Sequence, residues 1–462
     1  MKPQINVKEM HTKVHAKEKK LDFTQGSIAK KMAIFALPTF LGNLLQSSYQ
    51  FIDSLWVGNL LGAEALGAVS ISSPVIFSIL AFIIGINGAT LTILSQQKGK
   101  DDEEGLRESL NAFIFILGLL AVLLGIAGFL AAEPILIMLG TPVEILPLAA
   151  QYLKINFLGI LFLIGYNFIG TVMRALGDSR TPVRFVMIAV VLNTVLDPLL
   201  ISVFQLGITG AALATVISQG LAFLYGLGYS LRHRAVPFTV PHLPGRRYAR
   251  AVFKTGLPGG LQMIAVSSGQ VAIMSVIASF DKEVVAGFGA AQRIENLIML
   301  PALTLGSAVT SMAGQNIGAN LWNRVAQIAR VGTAYIAALS LMISVIVFFS
   351  AEVMIRWFVN DPETIAFGTD YLRAVAFFFP FLGINFILNG IVRSSGAMVQ
   401  VLMLNIVSFW LLRYPLSFAF SRWLGESGIA YGIGTSFVIS ASIAAGYYFF
   451  GGWRKARVFD DE

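Results

Sequence analysis

The sequence predicts an all-α polytopic membrane protein with twelve transmembrane helices in two pseudo-symmetric six-helix bundles. Three observations predict it. Of 462 residues, 56% are hydrophobic and 13% charged, too little charge to cover a soluble surface of this size. Apolar runs of about 20 residues recur along the chain, each long enough to cross a hydrocarbon core of roughly 30 Å as a helix. Residues of the first half also recur in the second at a nearly constant offset. The alternating segments of about 10 residues that a membrane β-barrel requires are not seen.

In order, residues 1–27 form a basic tail carrying Lys2, Lys8, Lys13, Lys17, Lys19 and Lys20. No apolar stretch precedes these lysines, so no cleavable signal peptide is expected. Residues 28–231 hold six spans, centred near Leu44, Ile83, Leu119, Leu161, Val191 and Ile217. Pro38 lies inside the first span, where its missing N–H makes a kink or hinge. Residues 232–249 read as a linker, with Pro237, Pro241 and Pro244. Residues 250–453 hold six more spans, centred near Val266, Leu300, Ser340, Phe381, Val407 and Ile439. Residues 454–462 form a short tail.

Positive charge alternates between loops. Lys98, Lys100 and Arg107 follow span two, Arg174, Arg180 and Arg184 span four, and Arg324 and Arg330 span eight. Arginines also crowd the 232–250 loop, while residues 133–147 and 204–210 contain neither Lys nor Arg. The positive-inside rule then places both termini in the cytoplasm of a bacterial-type cell membrane. The net charge of +8 belongs to these loops and to the tail, where it meets anionic lipid rather than nucleic acid.

The internal repeat rests on four pairs. Pro38 matches Pro258, 220 positions on; Gln96 matches Gln315, Tyr152 matches Tyr371 and Arg174 matches Arg393, each 219 on. With six spans per half, the two halves enter the membrane with the same topology. Parallel repeats of this kind build transporters in which two bundles rock about a central site.

Ionisable groups inside the membrane cost at least a few kcal/mol and mark function. Asn43, Gln46, Gln50 and Asp53 follow 3-4-3 spacing, which puts them on one face of span one. Span five carries Asn193 and Asp197 four residues apart, followed by Pro198; span six carries Thr215 and Gln219. The 204–210 connection is short, so spans five and six are expected side by side. Asp53 and Asp197 fall at similar depth, so the two carboxyls are placed to share or exchange a proton. Their repeat counterparts lie near Ile273 and Tyr414, so the acidic pair belongs to the N-terminal half alone. Span eight carries Arg293, Glu295 and Asn296, read first as a buried Arg–Glu pair.

Several function classes are excluded. With no cysteine, disulfides, thiolate catalysis and Cys-based metal sites are ruled out. His11, His15, His233 and His242 fall in the tail or in predicted loops. No phosphate loop or buried Ser–His pairing is present. The chain is therefore read as a non-enzyme with no cofactor and no metal.

On these residues the chain resembles the multidrug and toxic compound extrusion (MATE) transporters. Pro38, Asp53 and the following "WVGNLLGAEALGAVS" are similar to that family's first span and loop. "MRALGDSRTP" resembles its loop after span four, and "LNTVLDP" and "GAALAT" its spans five and six. The similarity covers nearly the whole chain and is nearest the DinF branch. The NorM branch carries acidic residues in spans seven and ten, where this chain has Val266 and Leu382.

The resemblance implies a multidrug antiporter, most simply a monomer in the bilayer. It exports cationic amphipathic small molecules in exchange for protons by alternating access. The proton-coupling residues it implies are Asp53, Asn193, Asp197 and Thr215, with Pro38 as hinge. The expected substrate contacts are Gln46, Tyr49, Gln50, Asp53, Asn167 and Gln219. Two alternatives stay open: a sodium-coupled exporter of the same fold, and a lipid-linked saccharide flippase of the wider superfamily.

Overall fold

A computed structural model of the chain describes residues 20–459; the tail lysines before Lys20 and the last three residues lie outside it. Among the described residues, ten helices are long and apolar enough to cross a membrane. Two bent helix pairs bring the count to twelve if each pair is one span. The chain divides into two compact units, Met1–Ile83 with Gln97–Val252, and Ile84–Gln96 with Phe253–Glu462.

In the first unit the helices are α1 (Ile28–Leu61), α2 (Ala63–Lys100), α3 (Glu103–Met138), α4 (Leu146–Leu158), α5 (Ile160–Ala175), α6 (Arg180–Pro198) and α7 (Gly207–Arg232). Their starts follow local chemistry. Ser27 accepts from the Lys30 amide at 3.4 Å to open α1. Asp102 accepts from the Gly105 amide at 2.8 Å to open α3, with Glu103 and Glu104 favourably placed on the N-terminal dipole. Helix α1 packs along α6, and α6 along α7, as the short connection predicts; α7 also packs against α4 and α5.

The fourth predicted span differs from expectation. It is not one straight helix but α4 and α5, bent by 49° at Gly159. A Cβ at Gly159 would lie 2.3 Å from Val216 Cγ2, so the bend brings backbone hard against α7. Past Asp197 the helix widens into a π-helical turn, Leu199–Val203. Pro198 has no N–H to give the preceding turn, and the register slips by one residue to recover pairing.

The N-terminal segment is strapped across the end of this unit. The Leu21 amide donates to the Gly177 carbonyl at 3.0 Å, and Lys20 Nζ donates to the Ala235 carbonyl at 2.5 Å. Phe23 is fully buried, edge-on to Phe35. Gly177 has φ +88°, and a Cβ there would sit 2.2 Å from the Leu21 carbonyl oxygen. Asp178 accepts from the Arg180 and Thr181 amides, both at 3.0 Å, and so caps α6. The "ALGDSRTP" loop is therefore a turn, a cap and a seat for the strap.

The second unit takes in α8 (Arg246–Ile277) from Phe253, α9 (Lys282–Gly318), α10 (Trp322–Arg356), α11 (Pro362–Ala376), α12 (Phe379–Ser394), α13 (Met398–Ile406), a π-helical turn Val407–Arg413, α14 (Tyr414–Leu424) and α15 (Ser427–Phe450). The inner part of α2 belongs here: Gln96 Nε2 donates to the Ser394 carbonyl at 2.7 Å. The tenth predicted span is again a bent pair, α11 and α12, at 52°. Pro380 cannot donate to the Ala376 carbonyl, and Ser344 Oγ takes that carbonyl instead at 2.6 Å. The chain end repeats the strap: Val458 and Phe459 are buried, and Val458 packs on Gly396, which has φ +93°. Gly396 lies 219 residues after Gly177, the offset of the sequence repeat.

Candidate functional site

The first unit encloses a cavity of about 560 Å³, within the range that holds a drug-sized ligand. Helix α1 supplies Gln46, Tyr49 and Asp53, which share one face by their three- and four-residue spacing. Helix α7 adds Thr215 and Gln219. The lining holds one acidic side chain, Asp53, and no Lys, Arg or His. Phe77 and Phe157 contribute apolar surface, so the cavity suits a flat or bulky ligand with a positive group.

Behind Asp53 lies a buried polar network. Thr215 Oγ1 reaches Asp53 Oδ1 at 3.4 Å, the long end of a hydrogen bond. On α6, Asn193 Nδ2 donates to Asp197 Oδ1 at 3.1 Å. Asn193 and Asp197 are both 0% exposed, and Asp53 is 7% exposed. The two carboxyls are close enough for their charges to act on each other. Asp197 Oδ2 and Asn193 Oδ1 have no hydrogen-bond partner. Two buried acceptors without a donor are costly unless a proton or a cation joins them.

Of the predicted residues, the structure brings together Asp53, Gln46, Tyr49, Thr215 and Gln219 at the cavity and Asn193 and Asp197 behind it. Gln50 lies on α1, with its side chain outside the described residues. Asn167 departs from expectation: it is not among the lining residues, and its amide donates to the Leu163 carbonyl at 2.8 Å. Tyr152, Asn156, Ser70 and Ser73 line the cavity and were not predicted. Tyr152 and Asn156 stand four apart on one helical face, a signal present in the sequence. Pro38, the expected hinge, lies inside α1.

The Arg293–Glu295 pair is corrected. Residues two apart on a helix point to different sides. Arg293 lies over the Phe358 ring at 5.7 Å, while Glu295 Oε1 accepts from Tyr371 Oη at 3.0 Å.

Up to twelve candidate spans among the described residues, two of them bent, and a polar cavity in the first unit fit a membrane transporter. The MatE family model matches the chain twice, at residues 38–199 and 258–419, and the chain belongs to that family of transporters. The two matches begin 220 residues apart, as the repeat predicts. Probable multidrug resistance protein YpnP of Bacillus subtilis is 53% identical over 444 residues, covering 96% of this chain and all of the relative. Probable multidrug resistance protein YoeA of the same organism is 29% identical, covering 94% and 96%. The FAD transporter of Shewanella oneidensis is 25% identical, covering 87% and 90%. Among solved structures, an outward-facing multidrug resistance MATE family transporter superposes with a TM-score of 0.87 at 23% identity, covering 95% of this chain and 98% of that one.

Proposed function

We propose that this protein exports amphipathic organic cations from the cell across the cell membrane in exchange for protons. It acts by alternating access, as a monomer of the DinF branch with both termini in the cytoplasm. The observation that carries the reading is the double position of Asp53, on the wall of the cavity beside Thr215 and within reach of the charge of buried Asp197. A cation entering the cavity meets its one carboxylate, and a proton taken up there removes the charge that holds the cation. Exclusive occupancy of that kind is what exchange requires.

Asp197 and Asn193 support the proton as driving ion. A proton on Asp197 supplies a donor where two buried acceptor oxygens lack one. The same oxygens are ligands a sodium ion accepts, which keeps sodium coupling as the second reading. A saccharide-pyrophosphate flippase fits less well, because the lining offers no basic side chain to an anion. The names of the two Bacillus relatives agree with drug export.

Asp53→Asn keeps shape and most hydrogen bonding but cannot carry a proton, so drug efflux under an imposed proton gradient is abolished. Asp197→Asn impairs it severely; Asn193→Ala and Thr215→Ala are milder. The assay is run beside expression level and thermal stability. Wild-type efflux by a stably folded Asp53→Asn protein ends the assignment.

A further inference from the structure

The second unit has a small cavity of about 40 Å³ that the reading above leaves unused. Its polar lining is Gln270, Gln292, Glu295, Asn296, Tyr371 and Arg413. Glu295 comes from α9, Tyr371 from α11, and Arg413 from the end of the π-helical turn before Pro415. At the repeat offset Arg413 answers to Thr194, so this cation has no counterpart in the first unit.

The arrangement is not a locked ion pair. Glu295 and Arg413 feel each other's charge but form no ion-pair contact. Arg413 is 7% exposed, and its Nε has no hydrogen-bond partner. Its guanidinium lies instead 3.9 Å from the ring centre of Phe409 and 4.7 Å from that of Phe437. Two ring faces stabilise the cation independently of any carboxylate. Glu295 is thus held by one hydrogen bond, from Tyr371.

We propose that Glu295 is a second proton-binding carboxyl, in the C-terminal unit and separate from Asp53 and Asp197. Tyr371 serves both charge states, since a phenol donates to a carboxylate and accepts from a carboxylic acid. Arg413 is a fixed counter-charge that keeps its own compensation when Glu295 becomes neutral. The cavity beside them has room for a water molecule and polar groups to hold it, so a water fits next to the carboxyl as its proton partner. The other charged groups nearby are engaged elsewhere: Arg293 over Phe358, Arg373 over Phe348 with its Nε on the Phe348 carbonyl, and Arg356 with Glu352.

The test is an infrared titration of the full-length protein in lipid nanodiscs, following the carbonyl band of protonated carboxyl groups. Wild type is compared with Glu295→Gln, Asp53→Asn and Tyr371→Phe. Glu295→Gln is expected to delete one titrating component that Asp53→Asn leaves in place. Tyr371→Phe is expected to keep that component but move the pH at which it titrates. A Glu295→Gln titration that superposes on wild type overturns the proposal, as does an unmoved component in Tyr371→Phe. Where Glu295→Gln does not assemble, Tyr371→Phe decides alone. The reading needs no transport, so its failure and the failure of proton-driven export are separate results.

Discussion

At the scale of single residues, one carboxyl, Asp53, and one unpaired hydroxyl mark the wall of the first unit's cavity. Tyr49 Oη is buried on the cavity wall without a hydrogen-bond partner. An unpaired buried hydroxyl costs roughly 1–3 kcal/mol, so its presence suggests that a ligand completes it. Tyr49→Phe is therefore expected to leave thermal stability unchanged or raise it by up to about 1 kcal/mol, while weakening drug binding. The check is a melting curve with and without drug; equal ligand-induced shifts in both proteins exclude the hydroxyl from binding. The α1 face was legible in the sequence because polar residues at helical spacing in an apolar run cannot all face lipid. Of that stripe Gln46 and Asp53 line the cavity and Asn43 does not, while Tyr49, outside the stripe, joins them. Asn167 does not line it, and the cause lies at a larger scale.

The elements that depart from straight helices decide which side chains meet. In an unbroken span, Asn156 and Asn167 would share a face, since 11 residues make about three turns. The 49° bend between α4 and α5 separates them: Asn156 lines the cavity and Asn167 bonds within its own helix. Hydropathy locates a span by the apolarity of its window and is blind to such a bend, which depends on how closely Gly159 approaches α7. The proline after Asp197 was visible, but the π-helical turn it produces was not, because that choice is settled by packing. Pro198→Ala restores a donor and removes the reason for the slipped register. It is expected to maintain or raise stability while turning the residues beyond it by about 100° per residue of lost slip. Efflux should then fall by at least about tenfold, equivalent to ~1.4 kcal/mol, with Asp197 still present. Normal efflux by Pro198→Ala would show that the turn only relieves a proline. The strap gives a second element-scale expectation. Gly177→Ala forces a Cβ into the Leu21 carbonyl at a positive φ, and should loosen the N-terminal segment. Limited proteolysis before Phe23 measures this, and unchanged cleavage would mean that the strap tolerates the clash.

At the scale of the whole molecule, the repeat was read from four residue pairs, and the family model's two matches carry the same offset. The repeat already showed that the acidic pair Asp53 and Asp197 has no counterpart in the second half, but not what the charged residues of that half face. Only side-chain packing shows that Glu295 faces Tyr371 and the cavity rather than Arg293. The coupling ion itself is a property of the full cycle and is best tested on the intact protein in proteoliposomes. A proton gradient and a sodium gradient are imposed separately, with the membrane potential clamped in both. Release of a proton to the loading side requires an unoccupied carboxyl at each turn, so export should follow the pH difference. A sodium gradient at equal pH on the two sides should drive no accumulation. Asp53→Asn should be silent under either gradient, which ties the driving ion to the cavity wall rather than to a leak. Robust export under sodium alone, lost in Asp53→Asn, would transfer the same carboxyls to a sodium cycle and reject the proton assignment.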